Sequence, residues 1–245
     1  MSRRFAAITL VLSAALAGVP ADAQDLAAPG LIVSQSEVVF SSQVAARIVE
    51  FPFREGESFA RGDRLVGFDC ARFEAERREA QGAVGAADAR LRVNRELDKY
   101  GAVGRGDLDI SQADADAATA RVASLDEVVA SCAIDAPFSG RVVETFVNLH
   151  ETPGQGDPLL SILDDRNLQL EIIAPSDWLR WLEPGRTMTF EVRETGALLN
   201  ATVTRLGASV DPVSQSINVV AALPEVGPGV LPGMSGRAIF ADPEG

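Results

Sequence analysis

The sequence contains one imperfect repeat whose two copies are far apart along the chain. Residues 47–70 (RIVEFPFREGESFARGDRLVGFDC) align without gaps with residues 141–164 (RVVETFVNLHETPGQGDPLLSILD), 94 positions later. The identical pairs are Arg47/Arg141, Val49/Val143, Glu50/Glu144, Glu57/Glu151, Gly62/Gly156, Asp63/Asp157 and Leu65/Leu159. Each copy has a β-rich run, a polar turn, a Gly-Asp turn and a second apolar run, a pattern typical of hairpins. Since neither copy can bury its apolar side alone, we expect the two to form one small sandwich.

The segment between the copies, residues 71–133, is helical in character. It is rich in Ala, Arg, Glu and Asp and contains no proline, so its helix propensity is high. A glycine-rich stretch over 101–106 divides it, which predicts two antiparallel helices over 71–100 and 107–131 that project from the β module. On each helix, steps of three and four residues predict a heptad seam. The seam residues are Cys70, Phe73, Arg77, Ala80, Val84, Ala87, Leu91 and Asn94, then Leu108, Ser111, Ala115, Ala118, Val122, Leu125, Val129 and Cys132.

The two cysteines of the chain flank this helical insert. Cys70 ends the first copy of the repeat, and Cys132 lies just before the second copy. In an antiparallel hairpin, residues equidistant from the turn lie opposite each other, and both cysteines fall on the predicted seam. We therefore predict a Cys70–Cys132 disulfide at the base of the hairpin. The alternative is a pair of buried free thiols whose Cα atoms are too far apart to be bridged.

Charge and composition disfavour several functional classes. The chain has 35 acidic and 22 basic residues and a net charge of -13, whereas phosphate binding needs clustered Lys and Arg, so no nucleic acid partner is predicted. Its one histidine, His150, and two cysteines do not suffice for a His-rich or Cys-rich metal site, and a Ser-His hydrolase would depend on that single histidine. We predict no enzyme activity, no catalytic residues, no cofactor and no metal.

Residues 1–23 have the layout of a secretory signal peptide. Two arginines precede an apolar run over 5–19, and a small-x-small cleavage pattern ends at Ala23. The run is shorter than the about 20 residues that a membrane span needs, which favours cleavage over an uncleaved anchor helix. Val19 stands where a lipidated cysteine would be, so we do not expect a lipoprotein. The destination is an oxidising compartment, in which a disulfide persists.

The last third of the chain, residues 165–241, has a β pattern. Short apolar-polar runs separated by turns predict a small barrel. Strands are expected over 168–172, 187–192, 201–206 and 217–220, with a short helix over 175–179. Trp178 and Trp181 are expected to pack in the core, and the alternative is a contact with a partner. Residues 24–43 are expected to form a linker and a strand that flanks this barrel, and residues 242–245 a tail.

Three short motifs and their order resemble a known family. The motifs are Glu55-Gly56-Glu57 with Gly62-Asp63-Arg64-Leu65, then Ile134-Asp135-Ala136-Pro137-Phe138-Ser139-Gly140-Arg141-Val142, then Leu231-Pro232-Gly233-Met234. They are similar to those of the periplasmic adaptor subunits, or membrane fusion proteins, of tripartite efflux and secretion systems (HlyD-type, including the adaptors of resistance–nodulation–division, or RND, pumps).

The resemblance implies a mostly β fold with an antiparallel α-helical hairpin. Residues 44–70 and 134–164 would be the halves of a split lipoyl/biotinyl-like β-sandwich, 71–133 the hairpin and 165–241 a small β-barrel domain. A true carrier domain of the lipoyl type needs a lysine for its prosthetic group. The only lysine, Lys99, lies in the hairpin, so a swinging-arm carrier is not expected. No further membrane-proximal domain is expected, which would put the barrel nearest the transporter.

The resemblance also implies a function without catalysis. The chain would link an inner-membrane transporter, an RND-type pump above all, to an outer-membrane TolC-like channel. The hairpin tip, formed by Leu97, Tyr100, Gly101, Ala102 and Val103, would meet the channel. Only Leu97 matches the family's Arg-Leu-Ser tip motif, because Val93 and Gly104 stand at the other two positions, and the alternative is that Leu97 and Tyr100 simply pack the end of the hairpin.

We also expect the chain to self-associate, and three other functions are alternatives to the one above. Adaptors of this family assemble into rings, often hexamers, and we expect Arg47, Glu50, Arg141 and Glu144 to form contacts between neighbouring copies. One alternative is the adaptor of an ABC-type exporter. A second, of another class, is a stand-alone periplasmic binding or chaperone module. An adaptor that loads metal ions is disfavoured by the content of three methionines and one histidine.

Overall fold

The structure is a computed structural model, and it describes residues 26–224, 227 and 229–241. The predicted signal peptide, residues 1–23, and the predicted tail, residues 242–245, lie outside the described residues. The predicted mostly β fold with a small barrel and two helices is confirmed. Within the described part of the chain, neither long helix has an apolar stretch of the length needed to cross a bilayer.

Six strands, one from the beginning and five from the last third of the described chain, form a closed barrel. Its strands pair, all antiparallel, in the order β1-β13-β10-β11-β12-β9. Their bounds are β1 Leu26–Ser34, β9 Leu168–Pro175, β10 Thr187–Val192, β11 Leu198–Asp211, β12 Ser216–Ala222 and β13 Ser235–Phe240. In β9 alternate residues point into the barrel, where Leu168, Leu170, Ile172 and Ala174 are buried.

One end of the barrel is filled by aromatic side chains. A 3-10 helix over Ser176–Arg180 follows β9 and carries the buried Trp178. The ring of Trp178 lies 5.2 Å from that of Trp181 and 5.5 Å from that of Phe240, measured between centroids. The contact of Trp178 with Phe240 is edge-to-face, and aromatic contacts of this geometry add to the free energy of burial. Both tryptophans therefore pack against the barrel core, the role that the sequence favours.

Two small sheets form a second β unit, which we call the β module. The four-stranded sheet has the order β2-β8-β7-β4 and the three-stranded sheet the order β3-β5-β6. Their bounds are β2 Glu37–Ser41, β3 Ile48–Glu50, β4 Ser58–Phe59, β5 Arg64–Phe68, β6 Ala133–Asp135, β7 Gly140–Thr145 and β8 Pro158–Leu163. The sheets enclose one core, in which Ile48, Leu65, Leu159 and Ile162 are fully buried. Both copies of the repeat contribute to this core, as expected.

The two copies exchange equivalent backbone hydrogen bonds. The Ile48 amide donates to the carbonyl of Glu151 at 2.8 Å, and the Val142 amide donates to that of Glu57 at 3.0 Å. Residues 48 and 142 are aligned in the repeat, and so are residues 57 and 151. Each copy thus completes the backbone pairing of the other, and the module has a local two-fold pseudosymmetry.

The structural repeat begins earlier than the sequence repeat. The Ser42 amide donates to the carbonyl of Asp157 at 2.8 Å, and the Ala136 amide donates to that of Asp63 at 2.9 Å. Ser42 follows β2 and Ala136 follows β6, so these two strands are also equivalent. The sequence does not reveal this, because residues 37–41 (EVVFS) and 131–135 (SCAID) share no identical residue.

The prediction that residues 24–43 form a linker and one strand beside the barrel is partly wrong. The expected linker and flanking strand are two strands in different sheets: β1 closes the barrel, and β2 pairs with β8 of the β module. The chain crosses between them at residues 35 and 36, where the Gln35 amide donates to the carbonyl of Asn167 at 2.9 Å. The Ser34 hydroxyl donates to the carbonyl of Asp164 at 2.7 Å. The polar Gln-Ser pair ends one strand pairing and starts the next.

Two long antiparallel helices leave the β module, α1 over Ala71–Asp98 and α2 over Arg105–Ala130. Every residue of the two predicted seams is at least partly buried. Ion pairs cross between the helices from Arg77 to Asp126 and from Arg90 to Asp114, at 3.5 and 3.2 Å. The turn covers residues 99–104 and begins two residues earlier than expected, because α1 ends before Lys99 and Gly101 adopts a left-handed φ of 64° that no helix interior permits.

The predicted disulfide between Cys70 and Cys132 is present at the base of the helices, with its Cα atoms 6.1 Å apart. Cys70 is only 7% exposed and belongs to the core of the β module, while Cys132 packs against that core. The amide of Phe68 also donates to the carbonyl of Cys132 at 2.9 Å. The two helix ends are thus bound to each other and to the β module.

Candidate docking surfaces

The five predicted tip residues lie together at the far end of the helices. The amides of Tyr100 and Ala102 both donate to the carbonyl of Leu97, at 3.1 and 3.0 Å, which closes the end of α1. Leu97 is 40% exposed and Tyr100 is 83% exposed. So large an exposed fraction does not fit a tyrosine that packs the end of the hairpin, which was the alternative.

Two further large apolar residues are exposed beside them. Val93 on α1 is 57% exposed and Ile110 on α2 is 62% exposed. Counting from the Arg90–Asp114 ion pair, helical spacing puts Val93 and Leu97 on the Arg90 side of α1 and Ile110 on the Asp114 side of α2. Since that ion pair joins the helices on one side, these three apolar residues share that side, and Tyr100 lies in the turn that follows α1. We call Val93, Leu97, Tyr100 and Ile110 the tip face.

Val93 and Ile110 were not predicted to be part of the tip, although the sequence contains a pattern that indicates them. Seven of the eleven large apolar residues of the two helices follow the seam, and Val93, Leu97 and Ile110 are among the four that do not. A large aliphatic residue off the seam is either in contact with another part of the fold or exposed. Val128, also off the seam, is an example of the first case, because it packs against the core of the β module.

The flanks of the helices that face away from the seam are uncharged over much of their length. On α1 an exposed stripe follows steps of four and three residues, and on α2 another follows steps of three and four. We call these the outer stripes; they consist of Gly82, Ala86, Ala89 and Val93, and of Ile110, Ala113, Ala117, Ala120 and Ser124. Small side chains at a heptad spacing let a further helix approach closely.

The four charged residues expected at contacts between copies are on the surface of the β module. Arg47 pairs with Asp69 at 3.0 Å, and Arg141 pairs with Asp165 at 3.3 Å. A guanidinium nitrogen of Arg141 also donates to the carbonyl of Gly56 at 2.7 Å, across the two copies of the repeat. Both arginines are therefore engaged within the chain, where such exposed pairs contribute about 0–1 kcal/mol each.

The two glutamates of this set differ in their surroundings. Glu50 lies 4.0 Å from Arg64, at the limit of an ion pair. Glu144 is exposed and has no ionic partner among the residues that the structure describes. Of the four residues, Glu144 is thus the one without an ion pair to another described residue of the chain.

The single histidine occupies a turn. His150 has a φ of 73°, in the left-handed region, and aligns in the repeat with Gly56, whose φ is 81°. It is exposed, and its amide donates to the carbonyl of Ile48 at 3.0 Å. Over residues 26–224, 227 and 229–241, no cluster of His, Cys, Asp and Glu side chains is arranged to hold a metal ion.

The sequence has only distant similarity to known proteins. The chain matches no protein-family model. An uncharacterized protein of Haemophilus influenzae is 24% identical over 251 residues, which cover 96% of this chain and 65% of that protein. The chain thus spans less than two thirds of that relative.

Comparison of the fold is more informative. The membrane fusion protein Spr0693 of Streptococcus pneumoniae R6 superposes with a TM-score of 0.73 at 15% identity, over 88% of this chain and 98% of that one. A MacA–MexA chimera that contains the Pseudomonas aeruginosa MexA α-hairpin domain gives 0.72 at 18% identity, over 89% and 81%. The periplasmic adaptor protein EmrA gives 0.51 at 12% identity, over 88% and 99%.

These structural neighbours are membrane fusion and periplasmic adaptor proteins, and the predicted resemblance is confirmed. The chain has the fold of this class of protein. At identities of 12–18% the likeness concerns the fold alone.

Proposed function

We propose that this chain is a periplasmic adaptor that joins an inner-membrane transporter to an outer-membrane channel, without catalysis. The observation that carries the proposal is the helix pair, which is anchored at its base by the Cys70–Cys132 disulfide and exposes apolar side chains at its far end. An α-helix rises about 1.5 Å per residue, so α1 extends about 40 Å from the β module. A long, rigid projection with an apolar end suits a protein that bridges two partners.

The same proposal assigns roles to the other regions. We infer that the β module is the split lipoyl-like domain, now including β2, and that the barrel is the part nearest the transporter. No lysine is present in either copy of the repeat, so a carrier function has no attachment residue. The sequence-based expectations of a cleaved signal peptide and a periplasmic, non-lipoprotein location belong to this proposal.

The tip face is the proposed contact with the channel. Leu97 and Tyr100 were expected there, together with Gly101, Ala102 and Val103, and Val93 and Ile110 now extend the surface to both helices. Exposed apolar patches on a soluble domain mark interaction sites. With only Leu97 matching the Arg-Leu-Ser motif, the proposed contact relies on apolar burial rather than on the arginine and serine of that motif.

Photo-crosslinking in the native host tests this contact. A photoreactive residue at Tyr100 should capture an outer-membrane protein, identified by mass spectrometry after membrane fractionation. The matched control is the same residue at Val213, which is 93% exposed but lies on the barrel. Capture of the same outer-membrane protein from both positions, or of none from Tyr100, would contradict the proposal.

The outer stripes support assembly of several copies into a ring. We propose that the α1 stripe of one copy packs against the α2 stripe of the next, a head-to-tail contact that closes into a ring when the rotation permits. The number of copies, with a hexamer as the expectation, follows from that rotation. The contacts of Arg47, Glu50, Arg141 and Glu144 remain a prediction, and the unpaired Glu144 is the strongest of the four.

Substitution within the stripes tests the ring. Ala86→Glu and Ala117→Glu place a carboxylate at the centre of the proposed contact, and we expect the dissociation constant for self-association to rise about tenfold or more, since an unpaired buried charge costs over 1 kcal/mol. The measurement is sedimentation velocity over a concentration series. The control is Ala123→Glu, the same substitution at an exposed position of α2 outside the stripe. Equal effects of all three variants would argue against the stripes as the interface.

An RND-type pump remains the preferred transporter partner, with an ABC-type exporter as the alternative. A stand-alone binding or chaperone module is the rival from another class. The rival does not require an apolar tip about 40 Å from the β module. Co-purification of a transporter with the tagged chain from membranes distinguishes the three, because the captured transporter is of one type or absent.

A further inference from the structure

The barrel carries a groove that neither the hairpin nor the ring uses. Strand β11 is 14 residues long, and only Leu198–Thr202 of it pairs with β10. Its far half pairs with β12 alone, with a register shift between Leu206 and Val210. Such a bulge bends the strands and increases their twist. Between the end of this hairpin and the outer side of β1 and β9 lies a groove of about 790 Å³.

Three of the residues that line the groove are large and aliphatic. Leu31 of β1, Ile173 of β9 and Val210 of β11 line it and are 41%, 57% and 41% exposed. In β9 the inward positions hold the apolar residues of the barrel core, so Ile173 is an apolar residue on the outer side. The outer side of a barrel strand usually carries polar residues. Here three aliphatic side chains from three strands lie together on that outer side.

The charged groups of the groove are both acidic. Glu171 lies directly across from Leu31 in the β1–β9 pairing, and Asp211 ends β11. The ion pairs among the described residues involve neither carboxylate. The other lining residues carry hydroxyl or amide groups or are apolar, and no lysine or arginine of the described chain lines the groove.

The Asp211 carboxylate is held in a fixed orientation. One of its oxygens accepts hydrogen bonds from the amides of Ser214 and Val213, at 3.0 and 2.8 Å. These backbone bonds, that of Ser214 first, lower the pKa of Asp211 below its ordinary value, so the group is ionised at neutral pH. Both of these amide bonds involve the same carboxylate oxygen, and the side chain of Ser214 also contributes to the lowering of the pKa.

We propose that this groove binds an amphipathic organic cation, with the apolar body against Leu31, Ile173 and Val210 and the positive group facing Glu171 and Asp211. Binding sites of this size combine an apolar lining with a few polar groups that fix the orientation. The two unpaired carboxylates attract a cation and repel an anion of the same shape. The groove is formed within one chain, so this inference does not depend on the adaptor function.

A pair of isosteric probes tests the charge requirement. Tetraphenylphosphonium and tetraphenylborate have nearly the same shape and opposite charge. We expect the purified chain to bind the phosphonium ion with amide chemical-shift changes confined to β1, β9 and the β11–β12 hairpin, and to bind the borate at least about fivefold more weakly, a difference near 1 kcal/mol. Equal affinity for the two ions, or shifts elsewhere only, would overturn the proposal.

Variants separate the contributions of charge and apolar surface. Glu171→Gln keeps the shape of the side chain and should weaken phosphonium binding about fivefold, with unchanged thermal unfolding as evidence of a folded chain. Ile173→Ser should weaken both ions. The control is Leu198→Ser, which removes another exposed aliphatic residue, 68% exposed, at the opposite end of β11. If Glu171→Gln binds the cation as the wild type does, the groove is not the site. The crosslinking from Tyr100 tests the adaptor function, and its outcome does not depend on whether the groove binds a cation.

Discussion

The two halves of the β module have the same backbone pairing but different continuations. Residues 37–70 lead through Cys70 into α1, whereas residues 131–164 follow α2 and lead through Asp164 to the barrel. The hydrogen bonds are equivalent, and the Gly-Asp turns are the same in both halves. The differences concern the ends of the halves and one turn, where Gly56 corresponds to His150. Backbone pairing and a few core positions thus maintain the shared shape, while the connections are free to differ.

The largest expected effect tests whether the halves are equivalent in their core. Leu65 and Leu159 are aligned, identical and fully buried. Leu65→Ala and Leu159→Ala should each lower the free energy of unfolding by about 3–5 kcal/mol, because each leaves a cavity in the same core. Urea titration followed by circular dichroism measures this. Val143→Ala, at a 43% exposed position, is the control with a small effect. A marked difference between the two leucine variants would contradict the equivalence.

The next effect concerns the ends at which the halves differ. Replacing both cysteines, Cys70→Ser with Cys132→Ser, should lower the free energy of unfolding by about 2–4 kcal/mol, since the disulfide restricts the unfolded chain. The sequence separation of 62 residues puts this bond among those that close long loops. Thermal unfolding with and without reductant measures the effect. The reductant should destabilise the wild type and leave the double variant unchanged; the same response in both would rule out a role for the bond.

A smaller effect sharpens the comparison of the turns. Gly56→Ala should cost about 1 kcal/mol through backbone strain, because φ is 81° and an added Cβ meets no atom within 4 Å. His150→Gly should stabilise by up to about 1 kcal/mol, because glycine adopts the φ of 73° without strain. Changes of opposite sign in the denaturation midpoint are expected. Destabilisation by His150→Gly would indicate that the imidazole has a role of its own.

The smallest expected effect is a change in the pKa of one carboxyl group, that of Glu151 in the second half of the β module. The side-chain amide of Asn148, and then its backbone, donate to Glu151 and lower its pKa below the ordinary value of 4.5. The resulting stabilisation is present at neutral pH and is lost as the pH falls through this lowered pKa. Asn148→Ala should raise the pKa of Glu151, measured by NMR titration of its side-chain carbon. Arg54 stands at the equivalent position of the first half. An unchanged pKa would show that the amide is not the donor.

Periodic and repeated features could be predicted from the sequence. The repeat predicted that residues 47–70 and 141–164 share a core, and the spacing of the helical residues predicted which of them are buried. The position of Cys70 and Cys132 on that seam predicted their pairing. These features depend on local backbone geometry, with a period of 3.6 or 2 residues, so the order of residues reports them directly.

Features that depend on how distant elements are arranged could not be predicted. Strands β2 and β6 are equivalent through backbone hydrogen bonds, which need no side-chain identity. Val93 and Ile110 share a side of the hairpin only because α1 and α2 have a particular rotation, visible in the Arg90–Asp114 pair.

The sequence by itself determined the repeat, the helical seams and the disulfide, because each is written in residue identities at fixed spacing. Only the tertiary structure decided that β1 closes the barrel while β2 joins the β module, that the tip has one apolar side, and that Leu31, Glu171 and Ile173 line a groove with the end of β11. The physical reason is that these features arise from contacts between strands and helices far apart in the chain, whose relative placement is set by packing and not by local pattern.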